Sequence, residues 1–177
     1  MTKNLVITLI GKDEIGIVDK VTNMILKYQG NVVESKMARL GGEFAMLLQV
    51  DANADKMKTL EETIVKLEDE GYQVFYKETT DEATDKFKGW LPYEIEVTGA
   101  DHEGIIHNVT HRLVENGINI ESVDTKTASA PMSGTALFTM NAVVLAPPGK
   151  TIHAWAEDLD EVAAEMNVDI EIFNYRG

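Results

Sequence analysis

The chain has 177 residues and no Cys, and its 16 Lys and Arg against 30 Asp and Glu give a net charge of 16 − 30 = −14. That composition excludes a disulfide framework, a thiolate metal site and a cysteine nucleophile, and no apolar run approaches the ~20 residues of a membrane-spanning helix. Cutting after Lys88 leaves 12 basic and 16 acidic residues, then 4 and 14, so the halves carry −4 and −10. Neither half contains the basic run that phosphate binding draws on, and direct nucleic-acid contact is not expected. The N-terminus lacks the long apolar stretch and small-residue cleavage site of a signal peptide. The expectation is a soluble cytoplasmic protein.

A repeat organises the chain. Gly-Lys-Asp-Glu-Ile-Gly-Ile-Val-Asp-Lys-Val-Thr from Gly11 recurs as Gly-Ala-Asp-His-Glu-Gly-Ile-Ile-His-Asn-Val-Thr from Gly99, at an offset of 88 residues. Asn31 and Asn119 keep the same register, and each opens an extended stretch. This period is too long for a solenoid unit and suits a complete small domain. The reading is one module in two copies, over residues 1–78 and 90–177, with a polar linker over 79–89.

In chain order, Leu5, Ile7 and Leu9 alternate as a half-buried strand does. Val18, Val21, Ile25 and Tyr28 then step at helical spacing, as do Ile106, Val109 and Leu113 in the second copy, which predicts one apolar helix face in each. Gly30 and Gly117 are expected to end these helices. Strands over Asn31–Arg39 and Glu43–Asp51 join across Gly41-Gly42, a hairpin signal. Their counterparts, Asn119–Thr127 and Thr135–Leu145, join through the small-residue loop Ala128–Gly134. A second helix carries Met57, Leu60, Ile64 and Leu67, and its copy carries Trp155, Leu159, Val162 and Met166. Closing strands cover Tyr72–Lys77 and Val168–Tyr175, and Trp90 and Leu91 are expected to anchor the far end of the linker. The order strand, helix, strand, strand, helix, strand, twice over, predicts an α+β fold: two ferredoxin-like βαββαβ modules in tandem, antiparallel sheets with helices on one face.

The turn Asp-x-x-Gly-Ile between first strand and first helix is the most informative motif. Glycine admits close backbone approach, and the unpaired N–H groups of a helix start can hold a carboxylate. The Asp side chain can cap those N–H groups or receive an amino group. A free amino acid carries both an amine and a carboxylate. The turn therefore reads either as a simple helix cap or as an amino-acid site, and its duplication favours a recurring module.

On these residues the chain resembles the ACT-domain family of small βαββαβ ligand-binding modules. The stretches Asn31–Phe44, Gly117–Thr127 and Phe173–Tyr175 narrow the resemblance to tandem ACT proteins that regulate transcription of glycine metabolism. The resemblance implies ligand contacts at Asp13, Gly16, Ile17, Val18, Asn31 and Val32, and at Asp101, Gly104, Ile105, Ile106, Asn119 and Ile120. Ile15 and Glu103 stand where the family often has Pro, and Glu103 would repel a carboxylate, which favours the first site. ACT modules commonly pair side by side through sheets and helices, within a chain or across a dimer, so a homo-oligomer is expected. The implied function is non-enzymatic, with no cofactor. A small, glycine-like amino acid binds and alters contact with a protein partner, which would be a separate DNA-binding transcription regulator.

Two rival readings remain at this level. One is an ACT-only adaptor that senses amino acids and acts on a metabolic enzyme. The other is a metal enzyme using His102, His107 and His111. Against it, His107 and His111 fall roughly 100° or more around the helix from its apolar line, and the zincin glutamate is missing. The acidic pairs Glu61-Glu62, Glu68-Asp69-Glu70 and Glu157-Asp158 read as solvated helix faces. Met37, Met46, Met57, Met140 and Met166 read as core filler, and Trp155 as an anchor between helix and sheet.

Overall fold

The computed structural model describes residues 2–80, 85–129 and 134–176. The chain divides into two compact units, Met1–Lys86 and Phe87–Gly177. In the first, β1 (Thr2–Lys12), α1 (Ile17–Lys27), β2 (Asn31–Leu40), β3 (Glu43–Asn53), α2 (Ala54–Ile64) and β4 (Gln73–Thr79) follow in order, with a 3-10 turn over Val65–Glu70. In the second, the series is β5 (Leu91–Ala100), α3 (Ile105–Glu115), β6 (Asn119–Ser129), β7 (Ala136–Ala146), α4 (His153–Met166) and β8 (Val168–Asn174). Each unit folds into a four-stranded antiparallel sheet, ordered β2-β3-β1-β4 and β6-β7-β5-β8. These are two ferredoxin-like βαββαβ modules.

Alternation along the central strands places the cores. Leu5, Ile7 and Leu9 of β1 and Met46, Leu48 and Val50 of β3 are buried, and α1 and α2 cover them with Val21, Ile25, Met57, Leu60 and Ile64. The second core repeats this with Ile95, Val97, Met140 and Val144 beneath Val109, Leu113, Leu159 and Val162. Trp155 is fully buried and meets Tyr93 edge to face at 5.5 Å. Its indole N–H has no hydrogen-bond partner among the described residues. Burying an unpaired donor costs about 1–3 kcal/mol, which the ring's large apolar contact offsets.

Several sequence expectations shift by one residue. The buried line of α1 is Ile17, Val21 and Ile25, and that of α3 is Ile105, Val109 and Leu113. Val18 and Ile106 lie outside the core, at 38% and 43% exposure. Because apolar residues stand side by side at 17–18 and 105–106, periodicity alone does not fix the phase. The second helix of the first module is α-helical only to Ile64, and Leu67 is buried from the 3-10 turn that follows. Met46, Met57 and Met140 are core residues, but Met37 is 37% exposed on edge strand β2, so it is not core filler. The Gly41-Gly42 hairpin forms with both glycines at positive φ. Phe87 packs edge to face on Trp90 at 5.0 Å, whereas Leu91 is largely exposed. Residues 81–84 of the linker and 130–133 of the β6–β7 loop lie outside the described residues.

The end of α1 also differs from expectation. The left-handed residue is Gln29 (φ 57), not Gly30, while the matching place after α3 holds Gly117 (φ 68). In both modules the next N–H bonds back to the helix, Gly30 to the Ile25 carbonyl and Ile118 to that of Leu113. A left-handed conformation costs a side chain about 1–2 kcal/mol, and glycine repays part of that by its looser unfolded chain. We expect Gln29→Gly to stabilise the protein by about 0.5–1 kcal/mol. Thermal melting of the two proteins would show a raised midpoint, and a lowered one would refute the assignment of strain to Gln29.

Candidate functional site

The repeated turn is built in the same way in both modules. Gly16 and Gly104 precede the helices at φ 93 and φ 94, a conformation that any side chain would strain. No side chain caps either helix. The turn's glycine therefore serves the backbone, and the aspartates of the motif do other things. Asp13 places Oδ2 3.7 Å from Nη1 of Arg39, which reaches over from the far end of β2. Both groups are largely solvent-exposed, so the pair itself adds little stability. Asp101 is exposed, and its N–H donates to the Ala136 carbonyl at 2.9 Å.

Of the other residues singled out by sequence, Ile17 and Ile105 are buried in the cores, so each offers a ligand only its backbone. Val18 and Ile106 flank the turns from outside. Asn31 stands exposed at the head of β2 beside Asp51 of β3. Asn119 is half-buried and its amide donates to the Ile120 carbonyl at 3.3 Å. Val32 and Ile120 pack against their cores. Directly after them, both edge strands carry a β-bulge, between Val32 and Glu34 and between Ile120 and Ser122. A bulge bends its strand and turns a side chain away from the regular alternation. Apolar patterning carries no signal for it.

The first glycine of the motif does different work. A Cβ on Gly11 would lie 2.4 Å from Cδ1 of Tyr72, and one on Gly99 would lie 2.7 Å from Cγ1 of Val168. Both glycines let the entry to the closing strand pack against β1 or β5. Tyr72 also brings its hydroxyl to 3.5 Å from Oε2 of Glu14, and burial together with the Glu14 charge raises the phenol's pKa.

The two turns are not equally open. Nothing lies within 4 Å of a Cβ placed on Gly16, whereas one on Gly104 would meet Nδ2 of Asn108 at 3.3 Å and Cε of Met166 at 3.5 Å. Asn108 donates to the Gly104 carbonyl at 3.0 Å and to Sδ of Met166 at 3.3 Å. The equivalent of Asn108 is Lys20, which instead forms an ion pair with Glu70. So Asn108 and Met166 close over the second turn, and the first stands free.

His102, His107 and His111 do not converge. His107 and His111 stack with ring centroids 5.7 Å apart, His111 lies 3.6 Å from Glu115, and His102 turns to backbone carbonyls. No group of three acidic or histidine side chains is arranged to hold a metal ion among the described residues. No helix among them is long and apolar enough to cross a membrane.

Residues 3–77 match the family described as ACT domain, and the second unit repeats that unit's topology strand for strand. The first module belongs to the ACT-domain family. A crystal structure of an unknown protein from Galdieria sulphuraria is 31% identical over 99% of both chains, with a TM-score of 0.86. The crystal structure of a putative glycine cleavage system transcriptional repressor has the same fold, at 20% identity and a TM-score of 0.74, over 100% of this chain and 99% of that one. No curated protein matches the chain.

In the second module, His102 fastens the turn to the end of α4. Its Nε2 lies 2.6 Å from the Met166 carbonyl and its Nδ1 3.1 Å from the Glu103 carbonyl. Both ring nitrogens face acceptors, and only the imidazolium donates from both. These two carbonyls, that of Met166 foremost, raise the His102 pKa. A raised folded-state pKa gives stability that is complete below the unfolded value of about 6.5 and is lost as pH rises through the folded value. We expect the melting-temperature gap between wild type and His102→Ala to be widest near about pH 5.5 and to narrow by about pH 8.5. A gap that does not vary with pH would show that the ring acts there by packing alone.

Proposed function

We propose that this protein is a non-enzymatic regulator that binds a small amino acid at the first ACT module and passes the event to a protein partner. The observation that carries this reading is the open, uncapped helix start at Gly16 with Asp13 beside it. The first-turn N–H groups of Val18 and Asp19 have no acceptor within the helix, and they suit the ligand's carboxylate. The Asp13 carboxylate receives the ammonium group, and Arg39, 3.7 Å from Asp13 and largely exposed, is in reach of either carboxylate. Asn31 and Val32 lie level with Asn4 and Leu5, at the other end of β1 from this turn, and take no part in the site. Ile15 is fully exposed, and a side chain folding down from it would cover only a small ligand, which supports glycine or a close relative.

The second turn, occupied by Asn108 and Met166, is the weaker site in this proposal. The partner is a DNA-binding transcription regulator, because a chain of net charge −14 without a basic run is poorly suited to hold DNA itself. The likeness in fold to a putative glycine cleavage repressor supports the same choice. Binding acts by favouring one of two arrangements of the protein, and the coupling equals the ligand's preference between them.

Isothermal titration with glycine, alanine and serine tests the site. A charge-assisted hydrogen bond contributes about 1.5–3 kcal/mol, so Asp13→Ala should weaken binding by about tenfold to a hundredfold while Asp101→Ala changes it little. Equal affinity in wild type and Asp13→Ala would remove the site. Absence of any heat or thermal shift across the twenty amino acids would remove the sensor itself.

A further inference from the structure

The helix-free faces of the two sheets differ in charge, although the second also carries exposed Phe173 and Leu137. Strand pairing aligns Lys36, Leu47, Thr8 and Phe75 in one row across the first sheet. The next row runs Glu34, Gln49, Val6 and Lys77. Phe75, Leu47 and Ile10 project from this face at 64%, 44% and 38% exposure. No described residue of the first module covers them. In the second sheet the matching rows run Asp124, Asn141, Glu96, Glu171 and Ser122, Val143, Glu94, Phe173. Val6, Thr8 and Phe75 are thus replaced by Glu94, Glu96 and Glu171, and Glu96 stands directly opposite Glu171.

We propose that the helix-free face of the first module is a homodimer interface, closed against the same face of a second copy. Independently of any ligand site, this rests on three observations. The first is size. Four strands at about 4.8 Å spacing and about nine residues of length give a footprint of roughly 19 by 30 Å. Two copies together then bury more than about 1,100 Å², which clears the roughly 1,000 Å² of a specific interface.

The second observation is charge. Sheets stack about 10 Å apart with strands nearly aligned. A two-fold axis in the interface and parallel to the strands sets β4 over the partner's β2. Row falls on row, so Lys77 of each copy meets Glu34 of the other, Leu47 meets Thr8, and Phe75 lies under the stem and ammonium of Lys36. The two ion pairs sit at the rim, where they fix register, and Leu47 and Phe75 exclude water between them.

The third observation is what the second module does under the same operation. Glu171 would fall on Asp124 and Glu96 on Asn141, with Glu94 close by, while Asp169 alone of these carboxylates would meet a cation, Lys126. Carboxylates stacked in this way repel and lose hydration. Had both sheet faces been self-complementary, each chain could bind two others and the copies would string together without end. One sticky face and one acidic face close the assembly at two.

Sedimentation equilibrium of the full chain tests this. The wild type should be a dimer, and Phe75→Glu should raise its dissociation constant by at least about thirtyfold with an unchanged circular-dichroism spectrum. Lys77→Glu should weaken the dimer, and adding Glu34→Lys to it should restore affinity, an outcome that general surface disruption cannot produce. Glu171→Lys should leave the dissociation constant as it was. A monomeric wild type, a dimer indifferent to Phe75→Glu, or failure of the charge swap would overturn the proposal. So would a dimer broken by Glu171→Lys, because the acidic face would then be the partner surface.

Discussion

Each module has helices enough for one face of its sheet. That limit governs the rest of the molecule, because strand alternation sends every second side chain to the face without helices. In β1, Leu5, Ile7 and Leu9 go under α1 and α2, and Val6, Thr8 and Ile10 go outward. Antiparallel pairing carries the same division to β3 and β4, so one choice of register decides the chemistry of a whole surface. The buried halves of the two modules are alike in kind, both largely aliphatic with one or two Met, the second adding Phe138 and Trp155 and the first Tyr72. The outward halves are free of packing demands, and there the copies have diverged.

The turn that leads from the first strand into the first helix shows a second kind of divergence. Both copies keep the left-handed glycine and the uncapped helix start, since the chain must reverse there whatever the site holds. What surrounds the glycine is negotiable. Lys20 turns away to Glu70, leaving the first turn open, while Asn108 bonds back to the Gly104 carbonyl and to Met166. His102 ties the same turn to the end of α4. The second module has thus replaced an opening with internal contacts, gaining order at the cost of access.

Much of this was legible in the sequence. The 88-residue repeat, the strand alternation and the Gly-Gly hairpin each have a local cause, and the fold of two βαββαβ modules follows from them. The helix phase was not legible, because Ile17-Val18 and Ile105-Ile106 offer two equally apolar lines and only the sheet beneath chooses between them. Gln29 in a left-handed cap was masked by Gly30 next to it. The bulges after Val32 and Ile120 depend on how two edge strands register with their neighbours. The closing of the second turn depends on Met166, which lies 62 positions beyond Gly104 in the chain. Glu103 pointed to a weaker second site for a reason of charge. The contacts of Asn108 and Met166 around Gly104 are steric, and no spacing rule contains them.

The charge imbalance between the halves, −4 against −10, acquires a location in the structure. Of the 14 acidic residues after Lys88, Glu94, Glu96, Asp124, Asp169 and Glu171 share one sheet face, with Lys126 among them. Like charges directly opposite, as at Glu96 and Glu171, weaken a strand pair. A duplicated module inherits two copies of any self-complementary surface, and two such surfaces on one chain lead to open assembly. Repulsion built into one of them removes that outcome while the other stays apolar. The tolerated cost of opposed carboxylates in the second sheet is then the counterpart of the exposed Phe75 and Leu47 in the first.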